Sequence, residues 1–205
     1  ANRFSAQTLT IKSKGMSGTV DLGAGMSAKD IASRVNANAT YTGGVTARAE
    51  TYAFLSLGTG TQQAAVGFKL NGESIQAYSS NAGSDVDGLV TAINDASGKT
   101  GVVAQKVDLP GSSGTYRVQL FAADGRDISL TEAAVSTSNA AGATWGNGSI
   151  MQLQGAYDSN GTVTAVGATA AGATAAGAQT LSVGGNTAAR NSTVGGRVIF
   201  NSDVA

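Results

Sequence analysis

Asp85, Asp87 and Asp95 fall close together, and carboxylates grouped in this way could hold a hard cation or divide acid and base roles between them. Their spacing argues otherwise. Asp85 and Asp87 are two residues apart and do not share a helix face, whereas acids at the start of a helix stabilise its positive end. Asp124-Gly125-Arg126-Asp127 offers two acids near a glycine but lacks the alternating ligands and closing Glu of an EF-hand loop, and it reads as a hairpin turn. Trp145, with Tyr41, Tyr52, Tyr78 and Tyr157, could make a sugar-stacking platform. Lone aromatics in a chain with only 5% of them are more simply core and satellite residues. Asn38-Ala-Thr40, Asn147-Gly-Ser149, Asn160-Gly-Thr162 and Asn191-Ser-Thr193 fit the N-glycosylation pattern, which an Asn/Ser/Thr-rich chain produces by chance. No residue is therefore assigned a catalytic, cofactor-binding or metal-ligating role, and no cofactor is expected.

Composition narrows the function classes further. The 205 residues contain no histidine and no cysteine, which removes thiol nucleophiles, Ser-His pairs, disulfides and nearly every zinc site. Thirteen basic residues balance 13 acidic ones, without a Lys/Arg cluster, so the electrostatic drive toward nucleic acid or an anionic membrane is missing. No apolar run approaches the roughly 20 residues that cross a bilayer, and the sequence from Ala1 onward lacks the regions of a signal peptide. A soluble chain cut from something longer is expected. Twenty-nine glycines and one proline describe tight turns and small-residue strands over thin cores.

The elements that must position these residues form a repeat. Ser27-Ala-Lys-Asp30-Ile31 leads to Val35-Asn36 and Gly44-Val45-Thr46-Ala47, and Ser84-Asp-Val-Asp87-Gly-Leu89 leads to Ile93-Asn94 and Gly101-Val102-Val103-Ala104. The offset is 58 residues from Asn36 to Asn94 and 57 from Ala47 to Ala104, so one supersecondary unit occurs twice. In each copy a capped amphipathic helix is expected. Ser27-x-x-Asp30 has the form of a capping box, while Val86, Leu89, Val90 and Ile93 fall on one helical stripe. Asn36 and Asn94 read as helix C-terminal residues, because Asn tolerates the left-handed cap conformation. Gly43-Gly44 is taken as the end of the first helix.

Strands flank both helices. Gln7 to Ile11 and Gly18 to Leu22 alternate and should pair around a turn at Gly15 to Gly18. Val45 to Leu57 reads as one or two strands and Gly58 to Gln63 as a linker. Phe68 to Leu70 and Ser74 to Tyr78 join through Asn71-Gly72, a favoured hairpin turn. Val102 to Val107, Tyr116 to Phe121 and Ile128 to Leu130 continue the pattern. Beyond Thr131 the signals thin to short strands at Ser149 to Leu153, Thr162 to Val166 and Thr180 to Val183. Gly167 to Gly177 is a small-residue repeat with little to bury. The final strand, Gly196 to Phe200, is expected to lie beside Gln7 to Ile11, bringing the chain ends together.

These units resemble the flagellin hook IN motif, whose pattern is a strand with Asn-Gly, a short helix ending in Ile-Asn, and Gly-Val-x-Ala after it. Both copies match the tail of that pattern, and only the second has its Asn-Gly. The resemblance implies the variable, outward-facing middle of a bacterial flagellin. The fold expected is strand-rich α+β, made of two small β-dominated domains, each with one short amphipathic helix packed on antiparallel strands. Residues 1–62 with 181–205 would form an inner domain holding the first motif, and residues 63–180 an outer domain holding the second. The resemblance further implies a structural, non-enzymatic, extracellular part of the filament, with other flagellin subunits as partners and no small-molecule substrate. It also brings O-linked sugars on exposed Ser/Thr, at positions the sequence does not fix. The alternatives are a domain of the filament cap or a hook-associated protein, or an extracellular carbohydrate-binding adhesin.

Overall fold

The computed structural model describes residues 4–57, 64–79, 84–109, 113–137, 151–156, 178–181 and 191–202. The linker at Gly58 to Gln63, the strand at Thr162 to Val166, the repeat at Gly167 to Gly177, Trp145, Tyr157, the patterns at Asn147 and Asn160, and both chain termini lie outside them. In chain order the elements are β1 (Gln7–Ser13), β2 (Met16–Leu22), α1 (Ala28–Ala37), β3 (Thr46–Leu57), β4 (Ala64–Leu70), β5 (Glu73–Ser79) and α2 (Asp87–Asp95). Next come α3 (Ser97–Thr100), β6 (Val103–Asp108), β7 (Tyr116–Ala122), β8 (Ile128–Thr137), β9 (Met151–Gly155), β10 (Ala178–Leu181), β11 (Ser192–Val194) and β12 (Arg197–Asn201). The fold is strand-rich α+β, and the registered strand pairs are antiparallel. Two compact units emerge, one of Ala1–Thr51, Ala122–Asp127 and Gly195–Ala205, the other of Tyr52–Phe121 and Ile128–Val194.

In the first unit β1 and β2 form a hairpin with Gln7 opposite Leu22 and Ser13 opposite Met16. Its turn is Lys14-Gly15, with φ of 50° and 73°; positive φ at both central residues suits the twist of a two-residue hairpin. Gly18 is thus not part of the turn but lies in β2. Its missing side chain matters for another reason, since a Cβ there would come within 2.7 Å of the Tyr41 carbonyl oxygen. Leu9 and Ile11 pack against two small buried clusters, Val20 with Leu22 and Ile31, and Ala32 with Val35 and Ala47.

Helix α1 begins where the sequence places it. Ser27 Oγ accepts from Asp30 N and Asp30 Oδ2 accepts from Ser27 N, each at 3.2 Å, a reciprocal cap worth about 1 kcal/mol. It ends earlier than expected. Asn38 is the C-cap, and Gly43 and Gly44 belong to the turn after it. The last strand also differs from expectation, because β12 pairs with β3, from Arg197 opposite Glu50 to Asn201 opposite Thr46, and not with β1. The register is pinned by Arg197 Nε on Glu50 Oε1 at 2.9 Å. Val198 still joins Leu9 and Ile11 against the same buried clusters, through side chains and not through a ladder.

The second unit carries one sheet in the order β10-β9-β3-β7-β6 and another in the order β11-β8-β4-β5. Strand β3 is a single strand, buried at Ala53, Phe54, Leu55 and Leu57. Met151, Leu153, Val118 and Leu120 bury the same kind of face on its neighbours, and Val66, Phe68, Leu70, Ile128 and Leu130 do so in the other sheet. Helix α2 packs against β5 and β6, the end strands of the two sheets, and buries Leu89 and Ile93 completely or nearly so. Its start departs from the sequence reading. Val86, 1% exposed, occupies the N-cap with no side-chain cap bond of its own. Asp87 is the first helical residue, where its charge meets the helix N-terminus.

Candidate functional site: a duplicated asparagine clamp

Asn94 lies near the end of α2 and faces forward in the sequence. Its Nδ2 donates to the Ala104 carbonyl at 3.0 Å, and its Oδ1 accepts from Ala104 N at 2.7 Å. A side-chain amide carries the same donor and acceptor as a peptide group, so Asn94 serves Ala104 as a neighbouring strand would. Asn36 does the same. Its Nδ2 donates to the Ala47 carbonyl at 2.8 Å and its Oδ1 accepts from Ala47 N at 2.7 Å. Neither residue is in the left-handed conformation. The cap role expected of them is replaced by a clamp that holds a helix end on the strand after it.

The loop closing each clamp holds a buried threonine that the sequence reading missed. Thr100 and Thr42 are each 0% exposed. Thr100 Oγ1 accepts from Val102 N at 3.2 Å and donates to the Val102 carbonyl at 3.4 Å, and Thr42 Oγ1 reaches the Ala39 carbonyl at 3.2 Å. In both copies the threonine stands six residues after the clamp asparagine, a spacing that could have identified it. After the threonine the first copy has one glycine more. Gly101, with φ of 69°, ends α3 in the second copy, while the first has Gly43 and Gly44 at 70° and 82°.

A second difference lies at the hairpin turn. In the second copy the turn residue Asn71, with φ of 49°, donates through Nδ2 to the Thr100 carbonyl at 3.0 Å and accepts at Oδ1 from Ser129 N at 2.9 Å. Its own N–H donates to the Ser129 carbonyl at 2.9 Å. One side chain thus ties hairpin, helix loop and β8 together. Lys14 stands at the corresponding turn position in the first copy and has no acceptor to offer. There Gly43 packs directly on the hairpin, close enough that a Cβ would lie 2.5 Å from the Ser13 carbonyl oxygen.

The residues weighed for chemistry do not gather. Asp87 pairs with Lys106, 3.0 Å apart, and that bond raises the lysine's pKa. Asp95 is exposed. Asp124 lies 2.7 Å from Arg126 and 2.8 Å from Lys29. The Arg126 hydrogen bonds lead the causes that hold its carboxyl well below the usual range. Among the described residues no three acids meet as a metal site would require. Tyr41 is 70% exposed and Tyr52 stacks on Phe121 with centroids 4.4 Å apart. Asn38 Nδ2 donates to the Arg34 carbonyl and Asn191 Oδ1 accepts from Glu132 N, so both side chains have structural work.

The geometry shows one helix-to-strand clamp built twice, in which a side-chain amide closes on the backbone. Residues 67–124 match the family profile of the flagellin hook IN motif, so the chain carries a motif of the bacterial flagellum. The matched stretch runs from β4 to the Asp124 turn and takes in the second clamp. Two solved structures of flagellar cap protein FliD domains from Escherichia coli are also similar. The D2-D3 domains share 19% identity over 78% of this chain and 93% of that one, with a TM-score of 0.27. The D1-D2-D3 domains share 16% over 97% of this chain and 58% of that one, with a TM-score of 0.29. No curated protein matches the chain. Among the described residues no helix is long and apolar enough to cross a membrane.

Proposed function

We propose that the chain forms the outer, surface-exposed domains of a flagellin subunit, projecting from the filament and supplying its surface texture and contacts with neighbouring subunits. The observation that carries this reading is the flagellin hook IN motif at residues 67–124, with its clamp repeated at Asn36 and Ala47. A module whose clamp asparagines and loop threonines bond to its own backbone is suited to keeping shape, not to turnover. The work assigned to it is mechanical and extracellular, with no catalytic step. The inner and outer domains would be residues 1–62 with 181–205 and residues 63–180.

Deleting residues 5–200 from the host protein and imaging by electron microscopy tests this. Filaments should assemble at normal length and lose an outer layer of density. Failure to assemble, with subunits shed into the medium, would overturn the reading and favour a cap protein. Selective retention on a glycan array would favour an adhesin instead.

A further inference from the structure

We propose that Asn71 is a deamidation site held in check by the fold, so that it records how long the chain has been unfolded. In an Asn-Gly pair the glycine nitrogen attacks the side-chain Cγ. A C–N bond closes a five-membered succinimide, Nδ2 departs as ammonia, and water opens the ring to aspartate or isoaspartate. No oxidant or reductant is consumed. Glycine is the least hindered residue that can succeed the asparagine, and Asn71-Gly72 is such a pair.

In the folded chain this amide is engaged on both sides. Nδ2 donates to the Thr100 carbonyl at 3.0 Å and Oδ1 accepts from Ser129 N at 2.9 Å. The turn also fixes Asn71 and Gly72 at φ of 49° and 90°. For Cγ to meet the Gly72 nitrogen, the amide must leave Thr100 and Ser129. Two such bonds lower the reactive population by roughly 10- to 100-fold, and reaction from a transiently opened state tracks that population.

The product would not close the same contacts. Aspartate has no N–H donor, and its carboxylate would face the Thr100 carbonyl oxygen. Isoaspartate adds a main-chain methylene to a two-residue turn whose strands are registered with Leu70 opposite Glu73. The mark left by time spent unfolded therefore persists after folding.

Peptide mass spectrometry of the whole chain, incubated at mildly alkaline pH in native buffer and in urea, provides the test. Asn71 should convert roughly 10- to 100-fold more slowly in native buffer, and in urea it should keep pace with Asn147 and Asn160, which also precede glycine. Equal Asn71 rates in the two buffers would overturn the proposal. Urea unfolding of Asn71→Asp supplies a second reading. The variant keeps a carboxylate acceptor for Ser129 N but offers the Thr100 carbonyl no donor, so its midpoint should fall, and an unchanged midpoint would show that the product closes the contact after all. Should Asn71→Asp fail to fold, the fold is shown to need the Asn71 amide, and the rate comparison still decides the protection.

Discussion

The side-chain amide of Asn94 meets the backbone of Ala104 through both its N–H and its C=O, standing in for a strand residue at the edge of β6. Asn36 meets Ala47 in the same way. Each clamp replaces two hydrogen bonds that water would otherwise make, a net gain of about 1–3 kcal/mol. Asn94→Ala and Asn36→Ala should each lose about that much stability in urea unfolding. The Ala104 and Ala47 amides should become faster to exchange in the respective variants.

Gly125 and Gly72 both have positive φ, 76° and 90°, but only one is crowded. A Cβ at Gly125 would overlap Ala49 backbone and side-chain atoms, whereas nothing lies within 4 Å of one at Gly72. Gly72→Ala should therefore cost about 1–2 kcal/mol for its backbone conformation alone. Gly125→Ala should cost clearly more, since β3 must also shift. Chemical denaturation of the two variants in parallel separates strain from overlap.

Asp124 governs part of the acid response. Its carboxyl titrates below the usual range, chiefly through the Arg126 hydrogen bonds and further through Lys29. A depressed folded pKa contributes stability that is complete above the unfolded value of about 3.9 and is lost as pH falls below it. Melting temperature should therefore fall less steeply on acidification in Asp124→Asn than in the parent. The difference should shrink with added salt, because the carboxyl is about one-third exposed and partly screened.

Arg117 is 6% exposed and its Nε has no hydrogen-bond partner, although its guanidinium lies 3.6 Å above the Phe54 ring. Burial lowers its pKa. A cation on an aromatic face gains about 0.5–2 kcal/mol, less than the several kcal/mol that desolvating a guanidinium costs. Arg117→Met should be neutral or more stable by up to about 2 kcal/mol. A clear loss in equilibrium unfolding would show that the guanidinium has a stronger partner than the ring.

Much of the fold was legible in local pattern. The hairpin at Asn71-Gly72 and the stripe of Leu89 and Ile93 depend on neighbours within one or two turns of chain, and the 58-residue offset between Asn36 and Asn94 is a repetition visible in the sequence itself. What escaped depends on contacts through space. Nothing local shows that β12 pairs with β3 and not with β1, a ladder from Arg197 opposite Glu50, separated by 147 residues, to Asn201 opposite Thr46. The clamp was hidden for the same reason, since Asn94 and Ala104 are separated by a short helix and a turn. Val86 was named on the apolar stripe and is buried, but its place at the N-cap was not foreseen. Strand β11 is three residues long, too short for alternation to reveal it.

The polypeptide crosses between its two compact units after residues 51, 121, 127 and 194. A single nick by a protease at any one of these crossings would leave three intact covalent tethers, so neither unit could be shed as a free fragment. Such redundancy means that damage to one connection is survivable without loss of mass.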